Sequence, residues 1–157
     1  MYSFVSLHSM GSERLYRDAR AFDLALAKSL QAGKTETVVA DVEELVQRHG
    51  LAVEVRMADS EGFRRSTVLP EREVLEAHRP EESAAGVTHR LVILPVRLKI
   101  DLATGIAHGV LRWKVEATGD SSPVAMGLMR YTADARGYPA KRMASALLAE
   151  LRSLGIR

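Results

Sequence analysis

The fold is decided by residues 87–117, whose sequence is VTHRLVILPVRLKIDLATGIAHGVLRWKVEA. Apolar and polar residues alternate along two runs, 87–102 and 106–117, which are separated by Ala103-Thr104-Gly105. Alternation with a period of two is typical of strands that bury one face, and two such runs around a short turn with glycine indicate a β-hairpin. We therefore expect the sheet to be built around this hairpin.

A register that pairs residue 100 with 109 and residue 98 with 111 gives the hairpin two faces of different character. The inner face then carries the apolar residues Val96, Leu98, Ile100, Leu102, Ala107, Gly109, Leu111, Trp113 and Val115. The outer face carries the cations Arg97, Lys99, Arg112 and Lys114 together with Asp101, His108 and Val110. A slip of one residue would bury charges, so this parity of register is strongly favoured. Pro95 marks a bulge or an edge position.

Helical spacing governs two other regions. After the N-cap residue Ser12, apolar residues recur at helical intervals up to Gly33, and a second helix is expected over 36–48. The short connection between these helices predicts an αα-hairpin. Pro139 suits the first position of a C-terminal helix. One face of that helix is lined by Met143, Leu147, Leu151 and Leu154.

The remaining segments are shorter. Residues 1–8 and 51–57 alternate as strands do, and residues 63–69 form a returning strand. The acidic, small-residue segment at about 79–86 is expected to be a mobile loop. Residues 124–132 are compatible with a strand, but Gly127 argues against it, and both alternatives remain open.

Together these elements predict an α+β fold in a single domain spanning residues 1–157. The expected sheet is mainly antiparallel with about five to six strands. The N-terminal αα-hairpin and the C-terminal helix are expected to pack on one face of it.

The composition excludes several classes of chemistry. The chain has no cysteine, so it has no disulfide, zinc–thiolate site, iron–sulfur cluster or cysteine nucleophile. No apolar run approaches the length of a membrane span, and no basic segment precedes the apolar N-terminus as it would in a signal peptide. We therefore expect a cytoplasmic protein with no membrane partner.

The charge is distributed unevenly. Residues 1–83 contain eleven cationic and fifteen acidic residues, a net charge of −4, whereas residues 84–157 contain eleven and five, a net charge of +6. Three explanations remain open: an anionic partner for the basic part, pairing between copies, and neutralisation within one fold.

The basic residues form the main candidate binding site. Arg97, Lys99, Arg112 and Lys114 project from one predicted face of the hairpin, and the candidate extension consists of Arg130, Arg136, Lys141 and Arg142. Cations held on a sheet can contact phosphates, which gives salt-dependent binding. No aromatic residue interleaves this face, so the stacking platforms of single-strand binders are not indicated.

No catalytic or metal-binding signature is present. Gly33-Lys34-Thr35 lacks the earlier glycine of a phosphate-binding loop, and the five histidines lack metal-ligand spacing. Serine-nucleophile motifs are also absent. We therefore predict no metal, no cofactor and no catalytic residues, which favours a protein that is not an enzyme.

Three functions remain in order of preference. The first is a non-enzymatic interaction or assembly protein that self-associates or joins a larger complex, of which a phage or mobile-element particle is one example. The second is nucleic-acid binding by the basic face of the 87–117 hairpin. The third is an enzyme whose site is assembled from scattered residues, which a polar pocket with His89 or His108 beside a carboxylate would support.

Overall fold

The computed structural model describes residues 1–9, 13–32, 38–58, 64–101, 103–120, 122–134 and 139–156, with the backbone alone for 55–58, 64–68 and 100. The strands in this part of the chain are β1 (Tyr2–Ser3), β2 (Glu54–Ala58), β3 (Arg64–Val68), β4 (His89–Ile100), β5 (Ala107–Ala117) and β6 (Pro123–Ala133). The helices are α1 (Val5–Ser9), α2 (Glu13–Gln31), α3 (Val42–Arg48), α4 (Glu71–Ala77), α5 (Arg79–Ala84) and α6 (Ala140–Ser153).

The main sheet is mixed and has four strands among the described residues. Its order is β1-β4-β5-β6, with β1 parallel to β4 and the other neighbours antiparallel. β2 and β3 form a separate antiparallel pair. The α+β class is therefore confirmed, but the predicted sheet of five to six mainly antiparallel strands is wrong. The open question about residues 124–132 is resolved, since they lie within strand β6.

The predicted N-terminal strand is mostly helix. Only Tyr2 and Ser3 pair with β4, and α1 follows with all of its residues buried. Phe4 and Leu7, three residues apart, share one apolar cluster, whereas Val5 belongs to another. A segment that is buried on every side has no exposed face, so the alternation of apolar and polar residues along it cannot distinguish a strand from a helix.

The predicted αα-hairpin is also wrong, because α2 and α3 lie on opposite faces of the sheet. α2 packs with α6 in one cluster, and α3 packs with α4 in the other. Between α2 and α3 the chain passes the β1 edge, where Ala40 bridges to Tyr2 and its N–H donates to the carbonyl of Met1 over 3.0 Å. The C-terminal helix packs on the sheet as predicted through Met143, Leu147 and Leu151, together with Ala144. Leu154, which was also assigned to this face, lies at the C-cap and is 53% exposed, so its assignment is wrong.

The central hairpin is present, but its register differs from the predicted one. Ile100 pairs with Ala107 and Leu98 with Gly109, a shift of two residues that preserves the predicted parity of the register, while Leu102 lies outside the described residues. The register changes again between Pro95 and Arg97, so a bulge lies at the proline as the sequence indicated. Val96 occupies that bulge and is 54% exposed, which corrects its assignment to the inner face.

Residues 79–84 form helix α5 and not the predicted loop. Glu82 in this helix is buried and accepts hydrogen bonds from Nε of Arg90 over 2.8 and 2.9 Å. The hydroxyl of Tyr2 donates to the same carboxylate over 2.6 Å. These partners explain why an acidic segment is ordered into a helix here, because a buried charge persists only when it is paired and hydrogen-bonded. The mobility of 79–86 remains a prediction.

The two faces of the sheet are covered unequally. α2 and α6 cover one face of β4, β5 and β6. On the opposite face, the cluster around α3 and α4 takes its buried strand residues only from the β1–β4 side, through Tyr2, Val92 and Leu94. The adjoining face of β5 and β6 is therefore left without a helix among the described residues. Within the same residues, no helix has the length and apolar character needed to cross a bilayer.

Candidate interaction surface

The open face is the side of β5 and β6, with the adjoining end of β4, that points away from α2 and α6. Its rows follow from the register: Lys99 lies beside His108 and Thr132, and Arg97 beside Val110 and Arg130. The next rows bring Arg112 beside Leu128 and Lys114 beside Met126. All four predicted cations, Arg97, Lys99, Arg112 and Lys114, thus share this face, together with Arg130 of the predicted extension.

The β6 part of the open face is apolar. Met126 and Leu128 are 58% and 64% exposed, and we call these two residues the apolar stripe. Residues 123–129 contain no charged side chain. Among the described strands β6 has one neighbour, β5, so the other edge of its segment 123–129 has no strand partner in that part of the chain. An exposed edge strand of this kind is a ready template for pairing with another strand.

The opposite side of β6 is well packed. Trp113 is 1% exposed, as predicted for a core residue, and its indole lies against Gly127, where an added Cβ would come within 2.6 Å of it. Met143 is buried as predicted. Met126, by contrast, shares the strand phase of Arg130 and Thr132 and is 58% exposed, so it points outward from the sheet.

Lys114 is held within its own chain. Its ammonium lies 2.5 Å from carboxylate oxygens of both Glu71, on α4, and Glu116, on β5. Burial alone would lower the pKa of Lys114, but hydrogen bonds to Glu116 and Glu71 outweigh it and raise the pKa. Arg112 lies 3.9 Å from Glu71 and remains about half exposed. Of the four predicted cations, Lys114 is therefore already paired with carboxylates of its own chain, and it connects β5 to α4.

The other cations gather at the end of the sheet near the β4–β5 turn. A depression with a volume of about 740 Å³ lies there and is lined by Arg97, Lys99, Arg130, Arg142 and His108, among others. We call it the cationic depression. The described lining contains no Asp or Glu. Lys141 is exposed on α6 outside this lining, and Arg136 lies outside the described residues.

A second cavity, of about 820 Å³, lies at the opposite end of the sheet. Its wall is largely apolar and includes Leu30, Leu91, Val115, Leu151 and Ile156. His89 lines this cavity and His108 the cationic depression, but the described lining of neither contains a carboxylate. Neither histidine therefore forms the arrangement that would support an enzyme, a histidine beside a carboxylate in a pocket. The described residues also contain no group of three or more potential metal ligands.

Two buried polar sites were not anticipated from the sequence. The Glu82–Arg90 pair and the hydroxyl of Tyr2 connect α5 to the sheet, and burial followed by the hydrogen bond to Glu82 raises the pKa of Tyr2. On α2, burial raises the pKa of Asp23 to about 7. Neither site lines the cationic depression, and only the backbone topology brings Tyr2 to Glu82, eighty residues away.

Gly33-Lys34-Thr35 lies outside the described residues. A comparison with known proteins found no matching family model, no matching curated protein and no matching solved structure.

Proposed function

We propose that this protein is a non-enzymatic interaction protein that associates with a second copy of itself through the neutral segment 123–129 of β6, whose outer edge has no strand partner among the described residues. The observation that carries the proposal is the apolar stripe on an eleven-residue edge strand. A strand of this length extends for about 37 Å, longer than the usual five or six residues. Membership of a larger assembly and a cytoplasmic location remain predictions that accompany this proposal.

The β6 edge has few of the features that normally prevent edge pairing. Natural edge strands are kept apart by charged side chains, prolines, bulges or short length. In β6 the proline stands at the first position, the register shift lies beside it, and the neutral segment 123–129 follows. Backbone groups along that segment can therefore pair with another strand without bringing charges together.

Charge distribution favours a second copy placed edge to edge. Stacking two open faces would bring Arg97, Lys99, Arg112 and Arg130 of both copies together, which like-charge repulsion opposes. Antiparallel pairing of β6 with β6 of a second copy places the two neutral segments side by side and satisfies two-fold symmetry. The sheets of the two copies would then become continuous.

Sedimentation velocity over a wide range of protein concentration tests this proposal. We expect the wild type to form a dimer whose population rises with concentration. The double variant Met126→Glu, Leu128→Glu should weaken the dimer at least about tenfold, since it brings four carboxylates close to the two-fold axis. In the isolated chain these carboxylates lie beside Lys114 and Arg112, so the fold should be retained.

The matched control is Leu24→Glu with Leu154→Glu. These leucines are 66% and 53% exposed and lie on α2 and at the end of α6, away from the open face. The control pair should leave the dimer unchanged. A wild type that stays monomeric at every concentration, or a dimer that survives the β6 substitutions, would overturn the proposal.

A further inference from the structure

The cationic depression concentrates charge that no described residue of the chain neutralises. Elsewhere, Arg20, Arg48, Arg72, Arg90 and Lys114 lie within 2.5 to 3.2 Å of carboxylate oxygens of the same chain. Among the described residues, Arg97, Lys99, Arg130 and Arg142 have no carboxylate within salt-bridge distance, and all four are exposed. Within that part of the chain, the four cations around this concavity therefore have no internal counter-charge.

The nearby carboxylate of Asp101 is already engaged. One of its oxygens accepts hydrogen bonds from the backbone N–H groups of Ala103 and Thr104, over 2.9 and 3.2 Å, and so shapes the β4–β5 turn. These hydrogen bonds lower the pKa of Asp101, with a smaller contribution from Lys99. Its role in the turn leaves the cations of the depression available for an external anion.

Two strands, β4 and β6, and helix α6, which packs on the other face of the sheet, supply these cations. Arg97 and Lys99 are two residues apart on β4, a separation of about 7 Å, and Arg130 lies two strands away, about 10 Å across the sheet. Arg142 comes from the first turn of α6, where no acidic residue is present. Cations spread over this area match an extended polyanion better than a single small phosphate.

We propose that the cationic depression binds the phosphodiester backbone of a nucleic acid without recognising its bases. Arg and Lys held on a sheet contact phosphates irrespective of sequence. Tyr131 is the one Phe, Tyr or Trp residue in the described lining, and it is buried, so no such ring is exposed there for base stacking. The concave shape admits a polymer chain, whereas a flat anionic bilayer would meet the rim alone.

This site differs from the set of cations that the sequence pointed to. Lys114 is engaged by Glu71 and Glu116, and Arg112 lies toward Glu71, so neither is among the main contacts. Arg130 and Arg142 replace them. The site is also separate from the apolar stripe, and its failure can be told from failure of self-association because different variants test the two.

Fluorescence anisotropy with labelled single-stranded and double-stranded DNA of mixed sequence tests the proposal. We expect binding to at least one probe, with little dependence on sequence, that weakens between about 50 and 200 mM salt. The variant Arg97→Glu, Arg130→Glu should weaken binding at least about tenfold and reduce the slope of log K against log salt by about one unit or more. Whichever probe binds more tightly identifies the form of the backbone that enters the depression.

The control variant is Arg17→Glu with Arg152→Glu, which changes the net charge equally at exposed positions outside the depression. It should retain binding close to that of the wild type. Thermal unfolding by circular dichroism should show that both double variants remain folded. Equal weakening by the two variants would overturn the proposal, because binding would then follow net charge alone.

Two further measurements separate other anions from nucleic acid. Inorganic phosphate should displace the probe no better than chloride at equal ionic strength, and displacement at low phosphate concentration would overturn the proposal in favour of a small-phosphate site. Vesicles containing phosphatidylserine should bind less tightly than DNA. No binding to either DNA probe at low salt, with or without vesicle binding, would also overturn it.

Discussion

The side of the sheet that faces away from α2 and α6 has two halves. In both halves apolar side chains point outward from the strands, but they are buried in one half and exposed to solvent in the other. On the half next to β1, Val92 and Leu94 are buried beneath α3 and α4. On the other half, Met126 and Leu128 occupy equivalent outward positions and are more than half exposed. The row Leu94–Arg112–Leu128 crosses from one half to the other. The difference teaches that helix coverage, and not strand pattern, decides which apolar residues belong to the core.

The largest expected effect compares two leucines in that row. Leu94→Ala should lower the free energy of unfolding by about 2–5 kcal/mol, because it leaves a cavity beneath α3 and α4. Leu128→Ala should change it by no more than about 0.5 kcal/mol, because the side chain is largely in water. Urea unfolding at a protein concentration where the chain is monomeric measures both. Similar losses at the two positions would mean that the open face is covered in solution.

The second prediction concerns the two sides of β6. Gly127→Ala should destabilise the fold by about 1–3 kcal/mol, because the new methyl group would meet the indole of Trp113. Gly119→Ala is the matched control, since an added Cβ there meets no atom within 4 Å. Thermal unfolding together with Trp fluorescence checks the result. A Gly127→Ala variant as stable as the control would show that the packing against Trp113 is loose.

The smallest effect on stability is expected for Glu71. This residue lies on α4 and contacts Lys114 at the boundary between the two halves. Glu71→Gln should lower the free energy of unfolding by about 1 kcal/mol, because Lys114 loses one of its two charged partners. Glu73→Gln, on the exposed side of the same helix, should have almost no effect. Urea unfolding at neutral pH compares the two variants, and equal effects would contradict a specific role for Glu71.

The pH dependence of this difference follows from Lys114. Its pKa is raised in the folded chain, so folding favours the ammonium form. The contribution is complete below its ordinary pKa of 10.5 and is lost as the pH rises through the higher folded value. The stability gap between wild type and Glu71→Gln should therefore narrow in strongly alkaline solution.

Some features could be predicted from the sequence because they depend only on residues that are close together along the chain. The alternation in 87–117 indicated the hairpin and the faces of Arg97 and Lys99, since a one-residue slip would bury charge. The spacing of Met143, Leu147 and Leu151 identified the C-terminal helix and its buried side. Pro95 located the bulge because proline lacks the N–H that a regular ladder needs.

Other features depended on contacts between distant parts of the chain. The placement of α2 and α3 on opposite faces follows from the pairing of β1 with β4 and the passage of Ala40 beside Tyr2. The grouping of Arg142 with Arg97 and Arg130 required α6 to pack on the sheet.

By itself, the sequence determined the α+β class, the central hairpin, the C-terminal helix and the cationic character of one strand face. The tertiary structure alone decided which part of that face has no described helix packed against it, which cations are paired with carboxylates and which residues line the depression. The physical reason is that the spacing of apolar residues shows which residues share one face of a helix or strand. Whether that face is buried, and whether its charges are paired, depends on which other element packs against it.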